Sequence, residues 1–128
     1  MSGHVEKAKE LRNIAEPHHN CAQSTLMPFA AENGLAEEQA FALAACFGKG
    51  MRMGSVCGAV TGGLMALGLK GADAAVQAEF IRRFREKHGG RLLCDDLLAA
   101  ADEAQVPHKV NCDGCVADAV AIIDELGI

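Results

Sequence analysis

The chain has no tryptophan and no tyrosine, and its five phenylalanines make up an aromatic content of only 4%. That excludes the stacked aromatic platforms of single-strand nucleic-acid binders and the aromatic cages that hold quaternary amines. Positive charge is also scarce. Twelve Lys and Arg against 17 Asp and Glu leave a formal net charge of −5, and phosphate binding draws on a basic surface, so a nucleic-acid partner is not expected. Strand signals are missing too, because apolar and polar residues rarely alternate and Val and Ile do not cluster. No P-loop, dinucleotide fingerprint or nucleophile elbow is present, which disfavours nucleotide-binding and hydrolase readings.

The first ten residues lack the apolar core of a secretory signal, so a reducing cytoplasmic setting is the expectation. Residues 53–69 carry no charge, at the lower limit of a membrane span, but five of those 17 positions are glycine. They read as a buried central helix, with no membrane span.

What remains is 128 residues, half of them apolar, enough for a single domain over 1–128 with its own core. Ala-rich segments punctuated by Gly, Asn, Asp and Pro predict an all-α bundle of five to seven helices. The first covers about Gly3–Ala15, with Val5, Ala8, Leu11 and Ala15 on one stripe. The second starts at Asn20, with Gln23 completing a capping-box-like pair, carries a kink at Pro28, and ends at Asn33-Gly34. A third spans Glu37–Phe47, with Cys46 read as a small core residue. After a glycine-spaced link, Gly48–Gly54, the Gly/Ala-rich central helix runs over Ser55–Leu69. Its Gly58, Gly62 and Ala66 leave one face nearly bare. Asp73 caps a helix with Val76, Phe80 and Phe84 inward. Short Cys94–Ala101 and final Cys115–Leu126 segments follow.

Six cysteines are the chief chemical resource. Cys21, Cys57, Cys94 and Cys112 are placed at or near helix starts, where free N–H groups and the helix dipole favour thiolate, the form that binds metal or attacks a disulfide. Only Cys112 and Cys115 form a C-x-x-C, so any shared site must be assembled by the fold. His18 and His19 read as a solvated loop or cap. His88 reads as a helix C-terminal cation, and Arg82, Arg83 and Arg85 as a solvated face.

Gly54-Ser-Val-Cys57-Gly58-Ala-Val-Thr-Gly62-Gly63, with Asn20-Cys21-Ala-Gln23 before it and Cys94 and Cys112 after it, resembles the redox-active proteins named for a C-GCAxxG-C-C cysteine pattern. The resemblance covers about residues 18–126, and Cys46 and Cys115 lie outside the four-cysteine pattern. The family's similarity to a domain of split-Soret cytochromes c implies an iron–sulfur or other redox centre. No C-x-x-C-H is present, so covalent haem is not expected.

Three functions follow as expectations. The first is an iron–sulfur cluster on Cys21, Cys57, Cys94 and Cys112 for electron transfer, with Gly58 and Gly62 letting backbone approach the cofactor. The second is metal-free thiol–disulfide chemistry with Cys112 and Cys115 as the local pair, though without the βαβ setting of thioredoxin-like motifs. The third is a structural zinc site, since dispersed ligands do not separate zinc from iron–sulfur. A redox partner protein is implied by electron transfer, and Ala/Gly-rich helix surfaces suggest a homodimer.

Overall fold

The computed structural model describes residues 3–128. Seven α-helices follow one another: α1 (His4–Asn13), α2 (Cys21–Ala30), α3 (Glu37–Ala44), α4 (Gly58–Leu69), α5 (Ala74–Lys87), α6 (Cys94–Glu103) and α7 (His108–Leu126). A 3₁₀ turn, Ala31–Asn33, extends α2 and closes at Gly34, whose φ of 87° is left-handed. With that turn counted, the helices run one beyond the expected five to seven. Among the described residues there is no strand beyond an isolated antiparallel bridge between Val56 and Leu93.

Helix α2 packs against α1, α3, α4 and α7, and α7 also receives α5 and α6. The core is built from Leu26 and Phe29 of α2, Val60 and Leu67 of α4, Phe80 and Phe84 of α5, and Val116, Val120, Ile122 and Ile123 of α7. The bare face of α4 serves close packing. A Cβ at Gly62 would stand 2.4 Å from the carbonyl oxygen of Ala22, and one at Gly63 would stand 2.4 Å from the tip of the Phe80 ring. Glycine there is a requirement of helix-to-helix distance.

Local chemistry sets the helix ends. The backbone N–H of Gln23 donates to Asn20 Oδ1, and Asn20 N–H donates to Gln23 Oε1, both at 2.8 Å, which completes the expected capping box. Asn20 Nδ2 also donates to the carbonyls of Ala44 at 3.2 Å and Ala45 at 3.1 Å, so one side chain closes the start of α2 and the end of α3. That contact, with the turn after it, ends α3 at Ala44, three residues before the expected Phe47. Cys46 consequently sits in an exposed turn and is not a core residue. Asp73 accepts from the Val76 N–H and caps α5, as expected.

Two further boundaries depart from expectation. The central helix starts at Gly58 because residues 55–57 are held extended. Cys57 N–H donates to the Leu92 carbonyl at 2.8 Å, and Cys94 N–H donates to the Ser55 carbonyl at 2.6 Å. The final helix starts at His108, directly after Pro107, seven residues earlier than expected, and passes through Asp113-Gly114 without a break. A Lys109–Asp113 ion pair at 2.8 Å, one turn apart, supports that early stretch. Ala15 lies exposed beyond the end of α1, off the predicted stripe. Between α3 and α4 the backbone turns left-handed at Lys49, Gly50, Met51 and Arg52, with φ of 55–67°.

Candidate redox site

Five of the six cysteines gather where α2, α4, α6 and α7 meet. Cys21 is the first residue of α2, held by the Asn20 cap before it. Cys57 is the N-cap of α4, one position outside the first turn predicted for it. Cys94 opens α6. Cys112 and Cys115 lie one turn apart within the first half of α7, so neither stands at a helix start as the sequence suggested for Cys112.

Glycines bring these elements into range. A Cβ at Gly58 would lie 3.0 Å from the Cβ of Cys21 and 3.0 Å from the Ala22 nitrogen, so glycine lets the start of α2 rest on the start of α4. A Cβ at Gly50 would meet Cys94 Cβ at 2.7 Å, and φ of 62° there is left-handed as well. Gly58 and Gly62 thus face α2, and they shape the site by admitting Cys21.

The thiols stand in pairs. Contact with Cys112 holds Cys21 well above the usual thiol range; burial adds to that rise. The same contact lowers Cys112 to about 6, helped by the Arg12 guanidinium and an Asn111 side-chain hydrogen bond against the cost of burial. In the second pair, Cys115 is pushed far up by Cys57 and by burial. Cys57 is lowered by Cys115 and by the backbone N–H groups of Ala59 and Val60 in the first turn of α4, against the cost of burial. Cys94, half-buried, is pushed up to about 11, first by burial and then by charge on Cys57 and Cys112. C-x-x-C spacing therefore does not pair Cys112 with Cys115; each meets a thiol on another helix.

Arg12 supplies the fixed positive charge. Its side chain is 9% exposed, and its Nε donates to Asp113 Oδ1 at 2.8 Å. Its Nη1 donates to the His19 carbonyl at 3.0 Å, two residues before Cys21. His19 is buried rather than solvated, with its ring edge-on to Phe41 at 5.1 Å. Sequence spacing carried no signal for Arg12, whose partner Asp113 lies 101 positions away. Cys115 could have been found: positions 112, 115, 116, 119, 120 and 123 follow one helical stripe, which places both thiols of α7 on its inward face.

Among the described residues, no three His, Cys, Asp or Glu side chains are gathered to hold a single metal ion. The thiols stand near the first turn of α4 at Cys57 and near the Arg12 guanidinium, which is 9% exposed. Such surroundings favour thiolate, the form that binds metal or attacks a disulfide. The arginines of α5 are engaged elsewhere: Arg82 and Arg83 both pair with Glu79 at 2.7 Å, and Arg82 reaches Glu86 at 2.6 Å. No helix among the described residues is long and apolar enough to cross a membrane.

A family model described as "Putative redox-active protein (C_GCAxxG_C_C)" matches residues 19–126. No curated protein matches the chain, and no solved structure does.

Proposed function

We propose, on the premise that this chain belongs to the redox-active C_GCAxxG_C_C family, that its redox centre is an iron–sulfur cluster held by Cys21, Cys57, Cys94 and Cys112. The observation that supports this reading is the mutual influence of the thiols: charge on Cys57 and Cys112 is felt at Cys94, and charge on the same two at Cys21. When bound, the cluster supplies one-electron transfer.

The chain's own residues do the rest. The N–H groups of Ala59 and Val60, in the first turn of α4, favour the Cys57 thiolate. Arg12 offsets negative charge at Cys21 and Cys112. Gly58 admits α2 to the site, and the extended stretches ending in Cys57 and Cys94 fix those two positions relative to each other. Electron transfer calls for a partner protein; the homodimer and the cytoplasmic setting stay attached to this reading.

A second reading rests on the Cys21–Cys112 contact. A lowered, half-buried thiol beside a protonated one is the arrangement of an attacking and a resolving cysteine. Purification without oxygen, followed by iron, sulfide and zinc analysis with a visible spectrum, separates the readings. Iron with matching sulfide and a charge-transfer band, lost in Cys21→Ser, Cys57→Ser, Cys94→Ser and Cys112→Ser, is the expected result. Zinc alone would overturn the cluster in favour of a structural site. Absence of metal, with thiols lost in pairs on oxidation, would establish the dithiol chemistry instead.

A further inference from the structure

Met51, Met53 and Leu93 are large apolar side chains left exposed, Met53 to 73%. They belong to one surface. Gly50 and Gly54, which flank the two methionines, rest on the start of α6: a Cβ at Gly50 would lie 2.7 Å from Cys94 Cβ, and one at Gly54 would run into the Asp95 carboxylate. Leu93 stands directly before Cys94 and pairs with Val56 in the antiparallel bridge. The loop is also an unfavourable one to form. Lys49, Met51 and Arg52 are left-handed although each bears a Cβ, and a conformation of that kind is retained where its surroundings fix it, most often at working surfaces. Here the contacts with Cys94 and Asp95 hold the loop in place, and two methionines are left in solvent.

Charge on this surface has both signs. Lys49 and Arg52 lie on the loop, and Asp95 and Asp96 lie in the first turn of α6. All four are exposed, and among the described residues none of them has an ion-pair partner. An acidic partner would be repelled by Asp95 and Asp96, and a basic one by Lys49 and Arg52. A second copy of the chain, turned by a two-fold rotation, sets cations against acids twice and covers the apolar side chains of both copies. We infer that two copies associate through this face, the loop of each lying against the start of α6 of the other. The inference deepens the homodimer attached to the reading above by naming its surface, and it stands whether or not the thiols hold a cluster. Because Cys94 opens α6, association brings the Cys94 turns of the two copies together.

Sedimentation equilibrium in reducing buffer, which removes any link through the exposed Cys46, measures the state of the wild-type chain. A dimer in concentration-dependent equilibrium with monomer is expected. Met53→Glu, outside the left-handed run, should raise the dissociation constant about tenfold or more, with the circular dichroism spectrum unchanged. Arg52→Asp and Asp96→Lys each set like charges against one another across the axis, so each alone should also weaken the dimer. Mixed in equal amounts, these two variants regain opposite charges at both contacts and should form a heterodimer as tight as the wild type. A wild type that stays monomeric at every concentration overturns the proposal and leaves the face to a different partner. So does a dimer that Met53→Glu leaves intact, or a pair of charge variants that fail to recover each other. Should Met53→Glu unfold, the mixing experiment decides alone.

Discussion

Arg12 and Asp113, 101 positions apart, meet at 2.8 Å and join α1 to α7 directly beside the Cys21–Cys112 pair. The charge of Arg12 lowers the Cys112 thiol, after the larger effect of Cys21. Replacing Arg12 by Met keeps much of the apolar stem and removes the charge. Cys112 should then titrate above its present value of about 6, read as the pH dependence of its alkylation in protein reduced and freed of metal. Stability should fall by roughly 1–3 kcal/mol, because Asp113 loses its buried partner but keeps Lys109.

Thiol reactivity in that metal-free, reduced protein should be ranked. Near neutral pH, Cys112, at about 6 and half-buried, reacts as thiolate. Cys94, at about 11, stays protonated and slow. With Cys46 replaced by Ser to remove the exposed thiol, time-resolved alkylation and peptide mapping should label Cys112 well before Cys94. The reverse order would contradict the lowering of Cys112 and the raising of Cys94.

Stability should follow the same groups with a definite sign. Cys112 is lowered on folding, so its contribution is complete above the unfolded thiol value of 9 and is lost as pH falls through about 6. Cys94 is raised, so its contribution is complete below 9 and is lost as pH climbs through about 11. The Cys112 contribution to melting temperature, taken as wild type minus Cys112→Ser in reducing buffer, should therefore grow from pH 6 to 9. The corresponding Cys94 contribution should shrink above 9.

Two glycines of α4 should respond in opposite senses to the same substitution. Gly62→Ala puts a Cβ 2.4 Å from the Ala22 carbonyl and forces α2 outward, a cost of about 1–3 kcal/mol or more. Gly68→Ala meets nothing within 4 Å on an exposed helical position and should stabilise by about 0.5–1 kcal/mol. Chemical denaturation of both variants measures the pair. Gly62→Ala should also reduce metal binding, since Ala22 adjoins Cys21.

Asn20→Ala should cost more than an ordinary cap. The loss of the α2 cap alone is worth about 1 kcal/mol, and the Ala44 and Ala45 carbonyls lose their donor as well. A loss of roughly 2–3 kcal/mol is expected. A loss near zero in equilibrium unfolding would show that water replaces the Asn20 amide at both ends.

The readable parts of this fold were those governed by neighbours in sequence. Asn20 with Gln23, Asp73 with Val76, and the four-residue spacing of Gly58, Gly62 and Ala66 each announce a local arrangement that the structure contains. The errors fell where distant chain intervened. Ser55–Cys57 reads as a helical turn, yet residues 92–94 hold it extended. The last helix was expected from Cys115, but the Lys109 and Arg12 contacts to Asp113 support helix from His108 onward. At the site, the family pattern singled out Cys21, Cys57, Cys94 and Cys112. Their division into pairs was not legible, because it depends on which faces of α2, α4 and α7 oppose one another.

The two backbone hydrogen bonds linking residues 55–57 to 92–94 also bear on how such a chain can vary. They act as a knot tied across a long loop of cord. Whatever length of chain is paid out between Leu69 and Leu92, the spacing of Cys57 and Cys94 is set at the knot. Turns such as Lys70–Asp73 and His88–Arg91 can therefore lengthen or shorten with the site untouched, whereas one residue added inside either tied stretch would slip a thiol out of register.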